Sequence, residues 1–414
     1  MFPEISEKEE VIPNEKRFEE ELGTTEKQRF GSEHPIVEQL RARARELGLW
    51  NLFFSKESKR GYELTNLEYA HVCMVLGKSP FLAPLVTNTN PPDSGNMEVL
   101  DYFGTEEQKK KWLVPLMEGK IKSVFSMTEP EVASSNATNI VTSLKEVEGG
   151  FIVNGRKWFN GNGNHLKTKL FIVYVHSGNT IKGYNELVKK STLGERHLQH
   201  SVVLVPKDSK GVRVVRPMHV FGFDDAPHGN GEIIFDNVFI PKENVVWELG
   251  RGFEIVQARL GPARLHHTMR IAGIAERSLE LMIERGLNRI VDGAPLIDKG
   301  VIREWVAKSR IEIDTSKLSV YNAAHAVDVK GHVLAKHEIS VAKVVVLNSA
   351  LRVIDRAIQS YGARGVSQDT PLAAFYASVR GLKIADGPDE VHYVQIAKNE
   401  IKDTLAKISK RPKL

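Results

Sequence analysis

Apolar residues change their spacing twice along this chain, and that double change restricts the fold more than any single motif. Before about residue 120 the spacing is helical: Ile36, Leu40, Ala44 and Leu47 recur on one face, with Arg and Glu between them. Thr105-Glu106-Glu107-Gln108, after Gly104, has the capping-box pattern. It opens a helix carrying Lys109, Lys110 and Trp112, which Pro115 and Gly119 are expected to close. The next stretch is short-period and β-branched. Lys169–Val175, Ser201–Pro206, Gly211–Pro217 and Glu232–Pro241 read as strands bounded by Gly, Pro, Asp and Asn. His176 to His200 is polar and poorly patterned and reads as a surface excursion. From about residue 245 helical spacing returns, with starts near Phe253, Glu304 and Lys336. The last of these carries Val341, Val344, Val345, Leu347, Leu351, Val353, Ile354 and Ile358, which marks a buried or interfacial helix. The chain of 414 residues therefore divides into an N-terminal helical domain (1–120), a middle β domain (121–244) and a C-terminal helical domain (245–414).

Composition narrows the function classes. The net charge of +5 is spread along the chain, which permits an anionic ligand such as a nucleotide or CoA without pointing to nucleic acid. The single cysteine, Cys73, forms no intrachain disulfide, suits a reducing compartment and reads as a small buried hydrophobe. No apolar run is long enough to span a bilayer, so membrane insertion is not expected. The acidic N-terminal stretch resembles neither a secretory signal nor an Arg-rich transit peptide, which disfavours the mitochondrion. Pro412-Lys413-Leu414 comes close to the Ser-Lys-Leu address. A peroxisomal location is the expectation if it works as a signal, and a cytoplasmic one if it is a basic helix end. No P-loop, GxGxxG, HExxH, CxxC or GxSxG pattern is present. Adjacent His266 and His267 diverge on a helix and lack a nearby acidic or Cys partner in sequence, so packing or substrate contact is expected and no metal site.

Two segments carry the chemistry. Phe125–Ile140, FSMTEPEVASSNATNI, joins a rigid Pro130 to the short hydroxyls of Thr128, Ser134, Ser135 and Thr138, with small Ala133 among them. Such a loop either holds a flat, polar-edged cofactor or is a Ser/Thr-rich connection. Ile384–His392, IADGPDEVH, places Asp386 before Gly387 and Pro388. This is either a surface turn or a close backbone approach to a ligand.

The first segment resembles the Thr-Glu-Pro flavin-binding segment of the acyl-CoA dehydrogenase family, and the order helices, β domain, helices is similar to that fold. The resemblance implies an α+β protein with an N-terminal helical domain, a central β-barrel or sandwich domain and a C-terminal four-helix bundle, binding FAD between the β domain and the bundle. Phe125, Met127, Thr128 and Ser134 then lie on the flavin side, and Ser135 matches the Ser that contacts the CoA pantetheine. Asn154–Phe159 resembles the NGxKxW segment. Phe159, Asn160 and Gly161 fall on the family's Trp-Ile-Thr, so Asn160 or a backbone donor is expected to replace the Thr contact to flavin N5. Leu260–Arg264 and Ala272–Arg277 match the helix whose Arg, here Arg264, lies beside the thioester. Ala263 leaves the second base location of some branches empty. Arg289–Leu296 resembles RxxFGxxL, with Arg289 reaching a neighbouring subunit's flavin and Asp292 in place of the aromatic. Gln359 and Gly362 fall on the QxxGG pattern at the same cross-subunit site. Asp386 aligns with the catalytic Glu, Gly387 with the Gly beside the substrate, and Pro388, Asp389 and Glu390 with residues near the AMP portion. A similar Ala-Asp-Gly-Pro-Asp-Glu-Val-His pattern occurs in the long-chain branch whose mammalian members are fused to kinase-like domains.

The resemblance implies α,β-dehydrogenation of an acyl-CoA, as in fatty acid β-oxidation. Asp386 removes the α-proton and a hydride leaves the β-carbon for flavin N5. The backbone N–H of Asp386 and a flavin hydroxyl polarise the thioester. An ordinary Asp has a pKa of about 3.9, and burial against flavin and acyl chain is expected to raise it. Electrons are expected to pass to an electron-transferring flavoprotein or to oxygen, and cross-subunit contacts imply a homodimer or homotetramer. Two other readings share the fold: a flavin oxidase acting on a nitroalkane-like carbon acid, and a non-catalytic flavoprotein that binds nucleic acid.

Overall fold

The computed structural model describes residues 7–31, 34–58, 60–178, 186, 189 and 194–409. The C-terminal Pro412-Lys413-Leu414, the first six residues and most of the polar excursion after His176 lie outside the described residues. Helices of eight or more residues are α1 (Glu15–Leu22), α2 (Pro35–Glu46), α3 (Asn66–Leu76), α4 (Asp93–Phe103), α5 (Gly252–Asn288), α6 (Gly300–Leu334), α7 (Lys336–Tyr361), α8 (Leu372–Leu382) and α9 (Asp389–Ser409). The chain forms two compact units, and these regroup the three-segment reading. One contains Lys8–Leu64 and Phe81–Leu260; the other contains Thr65–Pro80 and the chain from Gly261 onward.

The first unit is built on one seven-stranded sheet. Its strands are β1 (Lys122–Ser126), β2 (Ser143–Val147), β3 (Gly150–Gly161), β4 (Thr168–His176), β5 (His200–Pro206), β6 (Val212–Met218) and β7 (Asn230–Pro241). The order is β1-β4-β2-β3-β7-β6, with β5 also on β4. The expected central β domain is built on this one sheet. β4 is apolar through its interior because it has strands on both sides: β1 parallel, β5 antiparallel. The edge strand β6 alternates exposed Arg213 with more buried neighbours. Val153, Phe171, Val173, Val203, Ile233, Phe235 and Ile240 are sealed in the core of this unit, with the Phe171 and Phe235 rings edge to face at 5.8 Å. β1, β2 and β3 carry no clear alternation and were not legible as strands in the sequence.

Helical expectations in this unit hold with one change. Ile36, Leu40 and Ala44 are buried on α2. The Thr105–Gln108 capping box forms, with the Gln108 side chain also donating to the carbonyls of Glu243 and Val245. Pro115 does not stop the run that follows. Helical backbone runs on from Glu106 to Met117, with a π turn over Lys109–Leu113 just before the proline, and Gly119 at φ +70° follows its end.

In the second unit α7 is the buried element, with Ala342, Val346, Leu347, Ala350, Val353, Ile354 and Ala357 inside. α6 is kinked at Gly331, whose φ of +75° is outside the helical region, shortly before α7 begins. α3 belongs to this unit because two glycines let its end touch α5. A Cβ on Gly77 would come within 2.1 Å of the Arg270 carbonyl oxygen, and one on Gly273 within 2.0 Å of the Met74 carbonyl oxygen. Only Gly–Gly packing allows backbones this close. Glu276 on α5 ties to α6 through Arg310 at 2.5 Å and Lys317 at 2.6 Å.

Candidate active site

Each unit carries its own group of candidate residues. In the first, β1 ends at Ser126 and the Thr-Glu-Pro loop begins. Its glutamate turns inward. Glu129 Oε1 accepts from Lys157 Nζ at 2.8 Å and from the Thr142 N–H at 2.8 Å and hydroxyl at 2.5 Å, while Oε2 accepts from the Val141 N–H at 2.9 Å. Lys157 also donates to the carbonyls of Met127 at 2.8 Å and Tyr174 at 2.7 Å. Burial pushes the lysine down to about 8 against the opposing pull of Glu129. One ammonium group reaching out of β3 therefore pins a loop carbonyl and a loop carboxylate and ties both to β4.

The hydroxyls divide the work. Thr128 Oγ1 donates to the Trp158 carbonyl at 2.8 Å, and the Trp158 N–H returns to the Thr128 carbonyl at 3.1 Å, so the loop rim is laced to β3. Ser134 Oγ accepts from the Glu129 N–H at 2.9 Å and donates to the Glu129 carbonyl at 3.1 Å, closing the loop on itself. Ser135 is exposed. Of this pair, Ser134 is occupied inside the loop and Ser135 faces outward.

Beyond Trp158 the strand bends. Phe159 has φ +50° and is 44% exposed, a large aromatic offered to solvent on a rigid element. Asn160 is buried. Its Nδ2 donates to the Gly231 carbonyl at 3.0 Å, and its Oδ1 has no partner among the described residues. Gly161 leaves no room for a side chain, since a Cβ would lie 2.8 Å from His228 Nε2. Ser126 Oγ, at the end of β1, is likewise buried without a partner among the described residues. Phe125 is buried beneath the Arg259 guanidinium, which lies 4.2 Å from the ring centre. Met127 is half-buried and contributes its carbonyl to Lys157. Buried polar atoms without a partner are uncommon, and two of them beside a tied loop mark a place where a ligand can supply donors.

The group in the second unit is the turn before α9. Asp386 at φ +56° and Gly387 at φ +100° are both left-handed. Arg264 Nε donates to the Asp386 carbonyl at 2.8 Å. Lys343 Nζ, from the middle of α7, donates to the carbonyls of Ala385 at 2.5 Å and of Gly387. Two cations thus fix three successive carbonyls. Lys343 is 1% exposed, and burial takes it down to about 8 although Asp386 opposes this. Burial likewise lowers Arg264, with Asp386 opposing. The Asp386 carboxylate is half-buried, with His267 Nε2 3.3 Å from Oδ2. Pro388 starts α9 and accepts from the Val391 N–H at 3.0 Å. Asp389 is buried against Lys383 at 3.1 Å and Asn348 at 2.9 Å, whereas Glu390 points to solvent.

The remaining predicted contacts share one end of this unit. Arg289 is exposed where α5 ends, and Asp292-Gly293, both at positive φ, turn a two-residue hairpin between Ile290–Val291 and Ala294–Pro295. Asp292, at the family's aromatic position, pairs with Lys299 at 2.9 Å. Gln359 and Gly362 are exposed at the end of α7. Tyr361 between them donates to the Leu281 carbonyl at 3.2 Å, which brings the two helix ends together.

Sequence reasoning missed Lys157 with Glu129, and Lys343. Lys343 had a signal: a lysine inside an otherwise apolar helix, as in Val341-Ala342-Lys343-Val344-Val345, needs a buried partner. It identified neither that partner nor the use of His267.

Known proteins were compared with this chain. The profile described as "Acyl-CoA dehydrogenase, N-terminal domain" matches residues 8–120, the "middle domain" 124–238 and the "C-terminal domain" 250–401. The mouse protein "Acyl-CoA dehydrogenase family member 10" is 47% identical over 90% of this chain and 34% of its own length. Mouse "Acyl-CoA dehydrogenase family member 11" is 43% identical over 98% of this chain and 50% of its own length. This chain therefore spans about a third and about half of those two relatives. "Probable acyl-CoA dehydrogenase FadE2" of Mycobacterium tuberculosis is 46% identical over 89% of this chain and 86% of its own length. A solved Mycobacterium abscessus structure assigned to the acyl-CoA dehydrogenases is 41% identical, covers 97% of both chains and superposes with a TM-score of 0.89. Butyryl-CoA dehydrogenase of Megasphaera elsdenii, at 24% identity, covers 95% of this chain and 94% of its own, and shares the fold with a TM-score of 0.75.

Proposed function

This chain belongs to the acyl-CoA dehydrogenase family, and from that premise we propose that it removes two hydrogens across the α,β-bond of an acyl-CoA thioester, with Asp386 as the base. The observation that carries the reading is the Asp386 turn. Its carboxylate is half-buried, with His267 Nε2 3.3 Å from Oδ2, and Arg264 and Lys343 bind the three carbonyls of the turn and so fix where the base sits. The carboxylate accepts the α-proton, and Arg264, beside it, favours the ionised form that a base requires. The Asp386 N–H is the proposed donor to the thioester oxygen.

FAD fits the first unit: the orphaned Ser126 Oγ and Asn160 Oδ1, the laced Thr128 rim and the outward ring of Phe159 are the expected partners of a flat heterocycle with polar edges. When bound it supplies the acceptor for the hydride leaving the β-carbon. Ser135 is proposed to meet the CoA arm, and Arg289, Gln359 and Gly362 to meet the FAD of a second subunit. Exposed Ile311 and Leu318 on α6, with Tyr393, Val394, Ile401 and Leu405 on α9, are apolar surface that association into a homodimer or homotetramer would cover. An electron-transferring flavoprotein or oxygen takes the electrons onward.

Anaerobic mixing with saturated acyl-CoAs of increasing chain length tests this. Bleaching of the oxidised-flavin absorbance by wild type, lost in Asp386→Asn, is the expected result. Bound FAD with no bleaching by any acyl-CoA overturns it, and reduction by nitroethane would then favour the carbon-acid oxidase.

A further inference from the structure

Two helix ends meet in the second unit, α5 at Asn288 and α7 at Tyr361, whose hydroxyl donates to the Leu281 carbonyl. Three arginines gather there: Arg285 in the last turn of α5, Arg289 just after it, and Arg364 in the turn Gly362–Val366. The Arg285 guanidinium lies 5.4 Å from the centre of the Tyr361 ring. Burial raises Tyr361 above its ordinary value and Glu284 adds to the rise, while Arg285 and Arg364 oppose it, so both cations act on the same ring. A cation at a helix end ordinarily caps the last carbonyls or pairs with a carboxylate. Among the described residues the side chains of these three do neither, and Arg285 Nε is buried without a partner. The acids of the adjoining hairpin and the turn after it are committed elsewhere, Asp292 to Lys299 at 2.9 Å and Asp298 to Arg303 at 2.6 Å. Exposed Glu284 is left against three cations.

We infer that Arg285 and Arg364 join Arg289 in one anion-binding end, and that it takes the diphosphate of the FAD held by a second copy of this chain. The inference rests on the proposed sharing of FAD between subunits, where Arg289, Gln359 and Gly362 already stand. A buried N–H without an acceptor is uncommon, and a guanidinium fork matches phosphate oxygens. Arg285 precedes Arg289 by four residues, so both side chains leave the same side of α5. Tyr361 holds the Arg285 guanidinium by its ring face, which fixes the side chain without using its N–H groups. Arg364 approaches from the end of α7. Asp292 stands where the family has an aromatic, so a contact on the adenine side is lost there, and added charge on the diphosphate offsets it. Inorganic pyrophosphate carries the same chemistry without the two nucleosides and is the competing ligand for such an end.

The test compares wild type with Arg285→Met, Arg364→Met and Arg285→Lys as FAD-loaded full chains. Release of FAD is followed by the rise in free-flavin fluorescence at about 0.05 M and about 0.5 M NaCl, below and above the range where exposed charges are screened. Each Met variant is expected to release FAD about tenfold faster at low salt, the loss of one charged hydrogen bond. The gap should narrow at high salt, and Arg285→Lys, which keeps the charge, should recover part of it. The unfolding temperature of the apoprotein and the mass by light scattering should stay at wild type. Release at the wild-type rate in both Met variants overturns the inference. So does a gap equal at both salts with a lower apoprotein unfolding temperature, which makes the arginines structural, and so does loss of the oligomer together with FAD. If inorganic pyrophosphate stabilises the apoprotein through these arginines while their loss leaves FAD release unchanged, the end is a free-anion site and the inference fails. The two levels separate: wild type that holds FAD but is not bleached by any acyl-CoA ends the dehydrogenase reading and leaves this inference standing. Unaltered FAD release in variants that still bleach ends this inference alone.

Discussion

Lys157 Nζ meets Glu129 Oε1 at 2.8 Å with both side chains closed off from water. The pair joins the middle of β3 to the loop that is proposed to carry FAD, and each partner is expensive to bury alone. Lys157→Met strands the Glu129 carboxylate and should cost about 3–5 kcal/mol, measured by urea unfolding. Adding Glu129→Gln should recover part of that loss. FAD should leave the single variant faster, as read by the rise in free-flavin fluorescence.

Gly155 faces the same network from the other side. A Cβ there would lie 2.3 Å from Thr142 Oγ1, the hydroxyl that donates to Glu129. Gly155→Ala must push Thr142 aside, and a loss of about 1–3 kcal/mol in thermal unfolding is expected.

Lys343→Met removes both carbonyl anchors from the Asp386 turn. Flavin reduction should slow about 100-fold or more, because displacement of the base by an ångström is enough for that. FAD affinity should stay near wild type. Equal losses in both would indicate a general collapse of the fold.

Glu276 gives the second unit an acid-sensitive link. Burial alone would raise this carboxyl, but hydrogen bonds from Arg310 and Lys317 outweigh it and take the group from 4.5 down to about 2. A pKa lower in the folded state stabilises fully above the unfolded value and is lost as pH falls from about 4.5 to about 2. The partners are partly exposed, so the contribution is discounted to about 1 kcal/mol. Glu276→Gln should flatten stability against pH across that window and leave the slope above pH 6 unchanged, a bound roughly two units above an ordinary carboxylate.

The helices were legible where, as in α2 and α7, one face is buried, because a repeated face leaves a period in the sequence. The Thr-Glu-Pro loop and the Asp386 turn were legible as chemistry because Pro, Gly and short hydroxyls cluster there. β1 was not: its five residues are all buried, so no alternation survives to be read. The internal use of Glu129 was also hidden. The motif looked like a ligand-facing set, yet its carboxylate is consumed by a lysine on β3 and a threonine after the loop. His267 was weighed as a metal ligand, a packing residue or a substrate contact, since Arg270 one turn on and Asp386 beyond α8 meet it only after the helices assemble.

The Gly77–Gly273 crossing makes the order of the gene a poor guide to where the protein can be cut. A chimera that swapped residues 1–120 for those of a relative would replace α3 while keeping the α5 surface that fits it, setting a foreign side chain against the Met74 or Arg270 backbone. Recombination should instead exchange 65–80 together with 261–409, so that both glycines and Cys73 travel with Arg270 and the histidine it orients. Crossover points at residues 64, 80 and 260 then give hybrids that inherit the proposed base and its supports from one parent, and the proposed cofactor loop from the other.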